Sequence, residues 1–447
     1  MYRLPLCRQP AEAAQKWGPF LTGLSIFAWA VSLVAGFPVG LESLSIAGLL
    51  AALAGFSRPS VGLLGIGLLS TLDPATRSFL MSGGILRSNA FNYLLLAATV
   101  LFLPMLLKRS GAPALILQML LALLLVQLIF SSDVAVGMQQ VLNAAACLGL
   151  MVYFHRAGAD SEAWYWMAVI SGVAAGLAGL VYYRQGDIDL MNANAWAMVP
   201  FTAVLTVCLA CSSGLTSRQL RLLLPVAALN LAWIFLSGSR GTLLAALPPS
   251  IYLLWELPRA SQRVLTMAAL GASAVLCLIL FPGFVGRTTK RIERLVDSRY
   301  SVANRTSGRV DLAQAGFRMF LDHPTGIGTG GFASAFQKLE GDPISFKGEY
   351  KQAHSGWVKV AVENGVPGLV LLTMYLGSFA WVTHRAKPRL RRFGAMVTAT
   401  LVLALISNEF QSKGLWLLAA AASVRLYTES TSISLSDLPP GRRKWAA

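Results

Sequence analysis

The chain has 447 residues, of which 55% are apolar and 13% charged, with a mean hydropathy of +0.60 and a formal net charge of +17. This composition excludes an ordinary soluble globular protein and indicates a polytopic α-helical membrane protein. Because most of the positive charge falls in loops next to anionic lipid headgroups, we expect membrane lipids as partners and no nucleic acid.

Apolar stretches near the length of about 20 residues that crosses a hydrocarbon core recur along the chain. We expect an all-α fold of about 12 transmembrane helices, and at most about 14, because three stretches are short enough to be half-helices, re-entrant segments or tilted helices. The short stretches are 60–73, 393–408 and 412–426. The others are 19–37, 41–57, 90–107, 112–130, 134–154, 162–183, 193–212, 219–236, 241–257, 263–285 and 362–383.

Basic residues predict the orientation of these helices. Alternate loops, beginning with the N-terminus, carry most of the arginines and lysines, so both termini are predicted to be cytoplasmic. The short loops on the opposite side hold only Arg77, Arg87, Arg184, Arg240 and Lys413. The predicted organisation is a membrane bundle over 1–285, a periplasmic loop over 286–353, further membrane helices over 354–426 and a cytoplasmic tail over 427–447.

The predicted periplasmic loop 286–353 contains eleven Lys or Arg and seven Asp or Glu. One interpretation is a solvated loop that contacts headgroup phosphates. The other is a pocket for a pyrophosphate or a polyanionic glycan, because the planar guanidinium group can hold two phosphate oxygens at once.

Part of this loop is predicted to fold as an amphipathic helix over 309–322, on or in the outer leaflet. Pro324 prevents its continuation. One stripe of this helix consists of Leu312, Ala315, Gly316 and Met319. The glycine-rich segment 326–331 follows. A tight turn with close backbone approach is favoured there over a phosphate-binding loop, since no strand precedes it and no Gly-Lys-Ser/Thr follows.

His354 immediately precedes Ser355, a candidate N-cap of the next helix. Nearby guanidinium groups and the helix N-terminus both disfavour the imidazolium form. A neutral histidine at the membrane boundary can accept a proton from a sugar hydroxyl. The alternative interpretation is an interfacial histidine that only forms hydrogen bonds.

Two further arginines lie near the predicted outer surface. Arg240 occupies a short turn between apolar helices, and Arg184 begins another outward loop. Charges near membrane depth are costly unless paired or solvated, although arginines at helix ends can extend to the interface. In the predicted topology, both face the same side as His354 and the arginines of 286–353. No spacing typical of a metal site is present, so no metal cofactor is expected.

Three local motifs carry a family resemblance. They are Ser237–Gly241 at the start of a helix, Gly326–Phe332 after the amphipathic helix, and Ala353-His354-Ser355 followed by Val362–Leu369. Over about residues 180–385 the chain resembles the bacterial O-antigen ligase and polymerase superfamily, and within it the lipopolysaccharide O-antigen ligases.

The resemblance implies a metal-independent, inverting glycosyltransferase with a GT-C-like fold in the bacterial inner membrane. The implied reaction transfers an O-antigen polysaccharide from undecaprenyl pyrophosphate to the lipid A–core oligosaccharide at the periplasmic face. The family's essential histidine corresponds to His354 as general base. Its essential arginines correspond to Arg184 and to either Arg305 or Arg309, and Arg240 is a further candidate for pyrophosphate binding.

The sequence leaves open whether further residues belong to the site and whether the protein has a different function. Glu363 is a second candidate base that is expected to face Lys359 one turn back, and Lys351 is a further second-rank site residue. An O-antigen polymerase or a protein O-oligosaccharyltransferase would use the same motifs with a different acceptor. A lipid-linked oligosaccharide flippase would spread its cationic residues over several depths and show an internal repeat, which the sequence lacks.

Overall fold

The computed structural model describes residues 9–35, 37–79, 90–109, 111–158, 160–184, 193–257, 309–340, 353–407 and 413–431, with short pieces between 263 and 279. Within these residues every regular element is an α-helix, as predicted. Arg305, Lys351, the side chain of Arg184 and most of the predicted span 263–285 lie outside the described residues.

The helices of the N-terminal half are α1 (Gln9–Ala35), α2 (Phe37–Ala54), α3 (Pro59–Phe79), α4 (Ala90–Leu101), α5 (Leu103–Arg109), α6 (Ala112–Leu128), α7 (Val134–Ala157) and α8 (Ser161–Arg184). Those of the C-terminal half are α9 (Ala193–Ser212), α10 (Ser217–Ser237), α11 (Arg240–Glu256), α12 (Arg309–Asp322), α13 (Phe332–Glu340), α14 (Gly356–Arg385), α15 (Pro388–Ser407) and α16 (Lys413–Thr431). The predicted helix 309–322 is α12, with the same bounds.

Several helices are long and apolar enough to cross a membrane. Four of them meet this criterion by length and composition: α7, α8 over Ser161–Val181, α10 and α14. Shorter apolar helices are Leu41–Ala54, Pro59–Asp73, Phe91–Leu101, Ala112–Leu128 and Trp196–Ser212. The described part of the chain is therefore that of a polytopic α-helical membrane protein.

The three stretches predicted to be short are parts of longer helices. They lie in α3, α15 and α16, which have 21, 20 and 19 residues. Polar turns extend each helix beyond its apolar stretch, so that the apolar part of α3, Pro59–Asp73, remains short, and α16 continues into the predicted tail from 427 as far as Thr431. Its segment from Leu415 to Ala422 is almost completely buried against neighbouring helices, so it needs no lipid-facing surface.

Helix α12 packs along the first turns of α14. Its buried residues are Leu312, Ala315, Gly316 and Met319, which form the stripe that the sequence predicted. They contact Phe332 and Phe336 of α13 and Val362 of α14. A Cβ atom at Gly316 would lie 2.4 Å from Val358 Cγ1, so glycine allows the two helices to approach closely. The stripe therefore faces protein, and not the outer leaflet.

The two helices run in the same direction. At the C-terminal end of α12, the Val366 N–H donates to the Pro324 carbonyl oxygen at 2.8 Å. About two turns earlier on both helices, Gly316 lies against Val358. One further turn back brings Leu312 to the level of His354. The N-terminal end of α12 therefore lies at the N-terminal end of α14.

The glycine-rich segment holds this arrangement in place. The N–H groups of Ile327 and Gly328 donate to the carbonyl oxygens of Val362 and Glu363, both at 3.0 Å. The Thr329 hydroxyl lies 3.1 Å from Asn364 Oδ1 and also bonds to the backbone of α6. We call segments 326–332 and 362–366 together the loop–helix junction.

The junction depends on a break in the hydrogen bonding of α14. Gly365 has a non-helical backbone with φ 62° and ψ −156°. Val366 donates to Pro324 instead of Val362, and Pro367 has no N–H to donate to Glu363. The two carbonyl groups that a regular helix would use internally are thereby available to the glycine-rich segment.

Glu363 completes the junction with its side chain. Glu363 is 1% exposed, and its Oε1 accepts the N–H of Phe332, the first residue of α13, at 3.3 Å. A carboxylate at this position binds an otherwise unsatisfied N–H and interacts favourably with the helix dipole. Lys359 lies one turn back and acts electrostatically on Glu363, as predicted.

Replacing Gly328 by alanine is expected to weaken the junction. Gly328 has φ 97°, and a Cβ atom there would lie 2.5 Å from the Phe130 carbonyl group. The backbone strain alone costs about 1–3 kcal/mol, so we expect a clear fall in the midpoint of thermal unfolding in detergent. The control is Gly377→Ala, since a Cβ atom meets nothing within 4 Å at that position of α14. Equal midpoints for the two variants would contradict this description of the junction.

Glu363 variants separate a structural role from a role in chemistry. Glu363→Ala leaves the buried Phe332 N–H without its acceptor, at a cost of about 1–3 kcal/mol, whereas Glu363→Gln retains a carbonyl oxygen. We therefore expect thermal unfolding at a markedly lower temperature for the alanine variant and near wild-type behaviour for the glutamine variant. If both variants kept their stability but lost catalytic turnover, Glu363 would act as a base and not as a structural acceptor.

Candidate functional site

Arg240 is presented by a tight turn between α10 and α11. Gly238 ends α10 in the left-handed conformation with φ 64°, which glycine adopts without strain. The Ser239 N–H donates to Ser237 Oγ at 3.2 Å, and Ser239 Oγ lies 3.0 Å from Thr242 Oγ1. These bonds fix the turn, and Arg240 follows as the exposed first residue of α11.

Arg309 is the half-buried first residue of α12. Burial lowers the pKa of its guanidinium group, and the positive charge of Arg240 lowers it further. An arginine remains protonated in spite of such shifts. A guanidinium group from a distant part of the chain therefore acts electrostatically on Arg309.

No carboxylate in 193–257, 309–340 or 353–407 forms an ion pair with Arg309. Partial burial of a cation beside a second cation favours the binding of an anion there. Each guanidinium group offers a planar fork of N–H donors, which matches the oxygen atoms of phosphates.

His354 lies at the entrance to α14. It is exposed, with a φ of 51°, and it is the one non-glycine residue with a positive φ in the described ranges. Strained backbone of this kind is found preferentially at functional sites. Ala353 anchors it on one side, because Ala353 is buried in the same cluster as Leu312.

Ser355 anchors His354 on the other side, but not as predicted. Ser355 occupies the N-cap position of α14, yet its side chain forms no capping bond. Its hydroxyl instead donates to the Leu405 carbonyl oxygen of α15 at 3.2 Å. The predicted helix start is confirmed, and the serine connects two helices.

The packing brings three of the predicted site residues together. Since α12 and α14 run side by side in the same direction, Arg309 and His354 lie at the same end of the pair, and Arg240 acts electrostatically on Arg309. Glu363 and Lys359 are buried further along α14, at the loop–helix junction. Arg184 is the last residue of α8, and its side chain, like Arg305 and Lys351, is outside the described ranges.

The glycine-rich segment is the tight turn that the sequence favoured. Gly326, Gly328 and Gly330 all have positive φ angles. The N–H groups of residues 326–329 donate to protein carbonyl oxygens. Those donors are engaged in the junction and do not form a phosphate-binding loop.

A buried polar cluster was missed by the sequence analysis. Lys413, which was predicted in a short outward loop, is completely buried at the start of α16. Its Nζ donates to Asn143 Oδ1 at 2.6 Å, and the side-chain amides of Asn92 and Gln139 approach the same oxygen at 3.5 and 3.4 Å. The available signal was the pair of asparagines inside apolar stretches, since intramembrane polar residues normally find partners.

No three His, Cys, Asp or Glu side chains gather as metal ligands in the part of the chain that the structure describes.

Comparisons with known proteins agree with the family resemblance that the three motifs carry. Residues 225–373 match the family model described as O-Antigen ligase, and this region contains Arg240, Arg309, His354 and the loop–helix junction. A protein named O-antigen polymerase, from Salmonella muenchen, is 28% identical over 204 residues. The aligned region covers 45% of this chain and 47% of that relative, about half of its length. Residues 225–373 of this chain are thus similar to the O-antigen ligase family, and part of the chain is similar to an O-antigen polymerase.

Proposed function

We propose that this protein is an inverting, metal-independent glycosyltransferase that acts as an O-antigen ligase. Its donor is an O-antigen polysaccharide on undecaprenyl pyrophosphate, and its acceptor is a hydroxyl group of the lipid A–core oligosaccharide. The observation that carries the proposal is that half-buried Arg309, on which Arg240 acts electrostatically, lies at the same end of the α12–α14 pair as His354.

The arginines bind the diphosphate of the donor. Negative charge develops on the leaving diphosphate as the bond from the anomeric carbon to the phosphate oxygen breaks. Arg240 and Arg309 stabilise that charge without a metal, because preorganised cations act strongly where water is partly excluded. Arg184 and Arg305 are further candidates for the same role, since they share the predicted periplasmic side.

His354 acts on the acceptor. Its neutral imidazole takes the proton from the acceptor hydroxyl as the hydroxyl oxygen attacks the anomeric carbon. The electron pair of the broken bond leaves with the diphosphate, and direct displacement inverts the anomeric centre. Exposure of His354 gives a large acceptor access to the base.

The second candidate is an O-antigen polymerase, which is favoured by the name of the Salmonella muenchen relative. Both functions need the same diphosphate site and the same base. They differ in the acceptor, which is a growing lipid-linked glycan for a polymerase and the lipid A–core for a ligase.

An acceptor competition assay distinguishes these functions. Purified protein in detergent receives undecaprenyl-pyrophosphate-linked glycan together with lipid A–core, a second lipid-linked glycan or a serine-containing peptide. We expect product on lipid A–core. Extension of the lipid-linked glycan alone would establish the polymerase, and modification of the peptide alone would establish protein glycosylation.

Substitutions of His354 and Arg309 test the assigned roles. General-base catalysis typically contributes about 10²–10⁴ in rate, so His354→Ala is expected to lose most turnover. Arg309→Ala removes a charge-stabilising donor, with an expected loss of about 2.7–4 kcal/mol in transition-state stabilisation. The rates are measured with purified donor, and the elution profile in detergent verifies folding.

The matched control is His384→Ala, since His384 is also exposed and lies at the C-terminal end of α14, whereas His354 precedes its N-terminal end. It is expected to retain wild-type turnover. Near-normal turnover of His354→Ala would overturn the assignment of the base.

A further inference from the structure

Cationic side chains surround the C-terminal end of α11. Glu256 is the last residue of this helix, and its carboxylate oxygens lie 3.6 Å from Arg389 Nε and 3.6 Å from Arg392 Nη2. Arg263 reaches the same helix end, because its Nε donates to the Leu257 carbonyl oxygen at 3.2 Å. We call Arg263, Arg389 and Arg392 together with Glu256 the α11 cation cluster.

The α11 cation cluster has an excess of positive charge. Within the described residues, Glu256 is the one carboxylate that forms an ion pair with any of its three arginines, so two positive charges are left over. The side chains of Arg389 and Arg392 are 45% and 41% exposed, and that of Glu256 is 9% exposed. Arg263 is exposed as well. The carboxylate is therefore covered, whereas N–H donors of the guanidinium groups can be reached from outside.

Arg389 is held in place by neighbouring helices. Its Nη2 donates to the Cys211 carbonyl oxygen at 2.8 Å, at the C-terminal end of α9. The rings of Tyr252 and Phe393, with centroids 6.0 Å apart, pack α11 against α15 about one turn from the cluster. A cation that is already positioned loses little conformational freedom when it binds an anion.

The cluster lies at the far end of α11 and α15 from the candidate site. Helix α11 begins at Arg240, and α15 approaches the start of α14 where the Ser355 hydroxyl bonds to Leu405. At 1.5 Å per residue, each helix runs for about 25 Å between these points and the cluster, close to the thickness of about 30 Å of a hydrocarbon core. The cluster and the candidate site therefore lie near opposite faces of the membrane.

Exposed tryptophans place the cluster at the depth of lipid headgroups. Trp255, next to Glu256, and Trp381, near the end of α14, are 56% and 58% exposed. The guanidinium group of Arg385 lies over the Trp381 ring, 4.0 Å from its centroid. Tryptophan is enriched where a membrane helix meets the water interface. The anionic groups at that depth are lipid phosphates.

We propose that the α11 cation cluster is a binding site for cardiolipin, the phospholipid whose headgroup carries two phosphates. The two negative charges of this headgroup balance the two positive charges that Glu256 leaves over. Several guanidinium groups side by side can each hold phosphate oxygens. A phospholipid with a single phosphate would leave one positive charge unbalanced. The site does not depend on the proposed glycan transfer.

Native mass spectrometry tests the preference for two phosphates. Full-length protein in detergent is titrated with cardiolipin, phosphatidylglycerol or phosphatidylethanolamine, and the bound fraction gives each affinity. We expect cardiolipin to bind at least about fivefold more tightly than phosphatidylglycerol, since that is the contribution of one additional charge pair near a membrane surface. Equal affinities for cardiolipin and phosphatidylglycerol would overturn the proposal.

Two double variants test the location of the site. Arg263→Gln/Arg392→Gln removes two cations of the cluster and is expected to weaken cardiolipin binding about 25-fold. The matched control is Lys387→Gln/Arg391→Gln, which removes two exposed cations from the same region that do not belong to the cluster. It is expected to bind cardiolipin like the wild type. Equal losses in the two double variants would overturn the site and indicate attraction by the charge of the region as a whole.

A substitution of Glu256 has the opposite expected effect. Glu256→Gln removes the one negative charge of the cluster, so cardiolipin affinity should rise about fivefold. The thermal unfolding midpoint in detergent without added lipid verifies that each variant is folded. Unchanged or weaker binding by folded Glu256→Gln would contradict the proposal, and this result decides the matter if Arg263→Gln/Arg392→Gln does not fold.

Discussion

The arrangement of the candidate site depends on the break in α14 at Gly365, where bonds to the glycine-rich segment and to Pro324 replace helical backbone hydrogen bonds. Since Val366 bonds to Pro324, and Pro367 has no N–H, the carbonyl groups of Val362 and Glu363 can bind the glycine-rich segment. That segment fixes the C-terminal end of α12 against α14. The direction and position of α12 follow from this contact, and so does the placement of Arg309 at the entrance to α14.

Electrostatics explain why this position matters. Arg309 is half-buried, and its pKa is lowered by burial and by Arg240. Holding two cations close together is unfavourable in isolation and becomes favourable when a doubly charged group lies between them. The fold holds these cations through the α10–α11 turn and the loop–helix junction, and both lie within the region that matches the O-antigen ligase family.

Local patterns were predictable from the sequence, and long-range contacts were not. The bounds and buried stripe of α12 followed from helical periodicity and from Pro324, and three short motifs indicated the similarity to the O-antigen ligase family. No pattern in the sequence indicates that two of those motifs bind each other, because backbone hydrogen bonds between distant segments leave no periodicity. The sequence prediction also misplaced Lys413 and shortened α16, since a helix surrounded by protein can begin with a buried lysine that is hydrogen-bonded to Asn143.

We propose that Arg240 and Arg309 hold one diphosphate together. The most direct measurement is a double-mutant cycle on the affinity of undecaprenyl diphosphate, with Arg240→Gln, Arg309→Gln and the double variant in nanodiscs. Residues that share a ligand are expected to couple, so the double variant should lose clearly less affinity than the product of the two single losses. Two losses that multiply without coupling, or single variants that bind like the wild type, would contradict a shared diphosphate site.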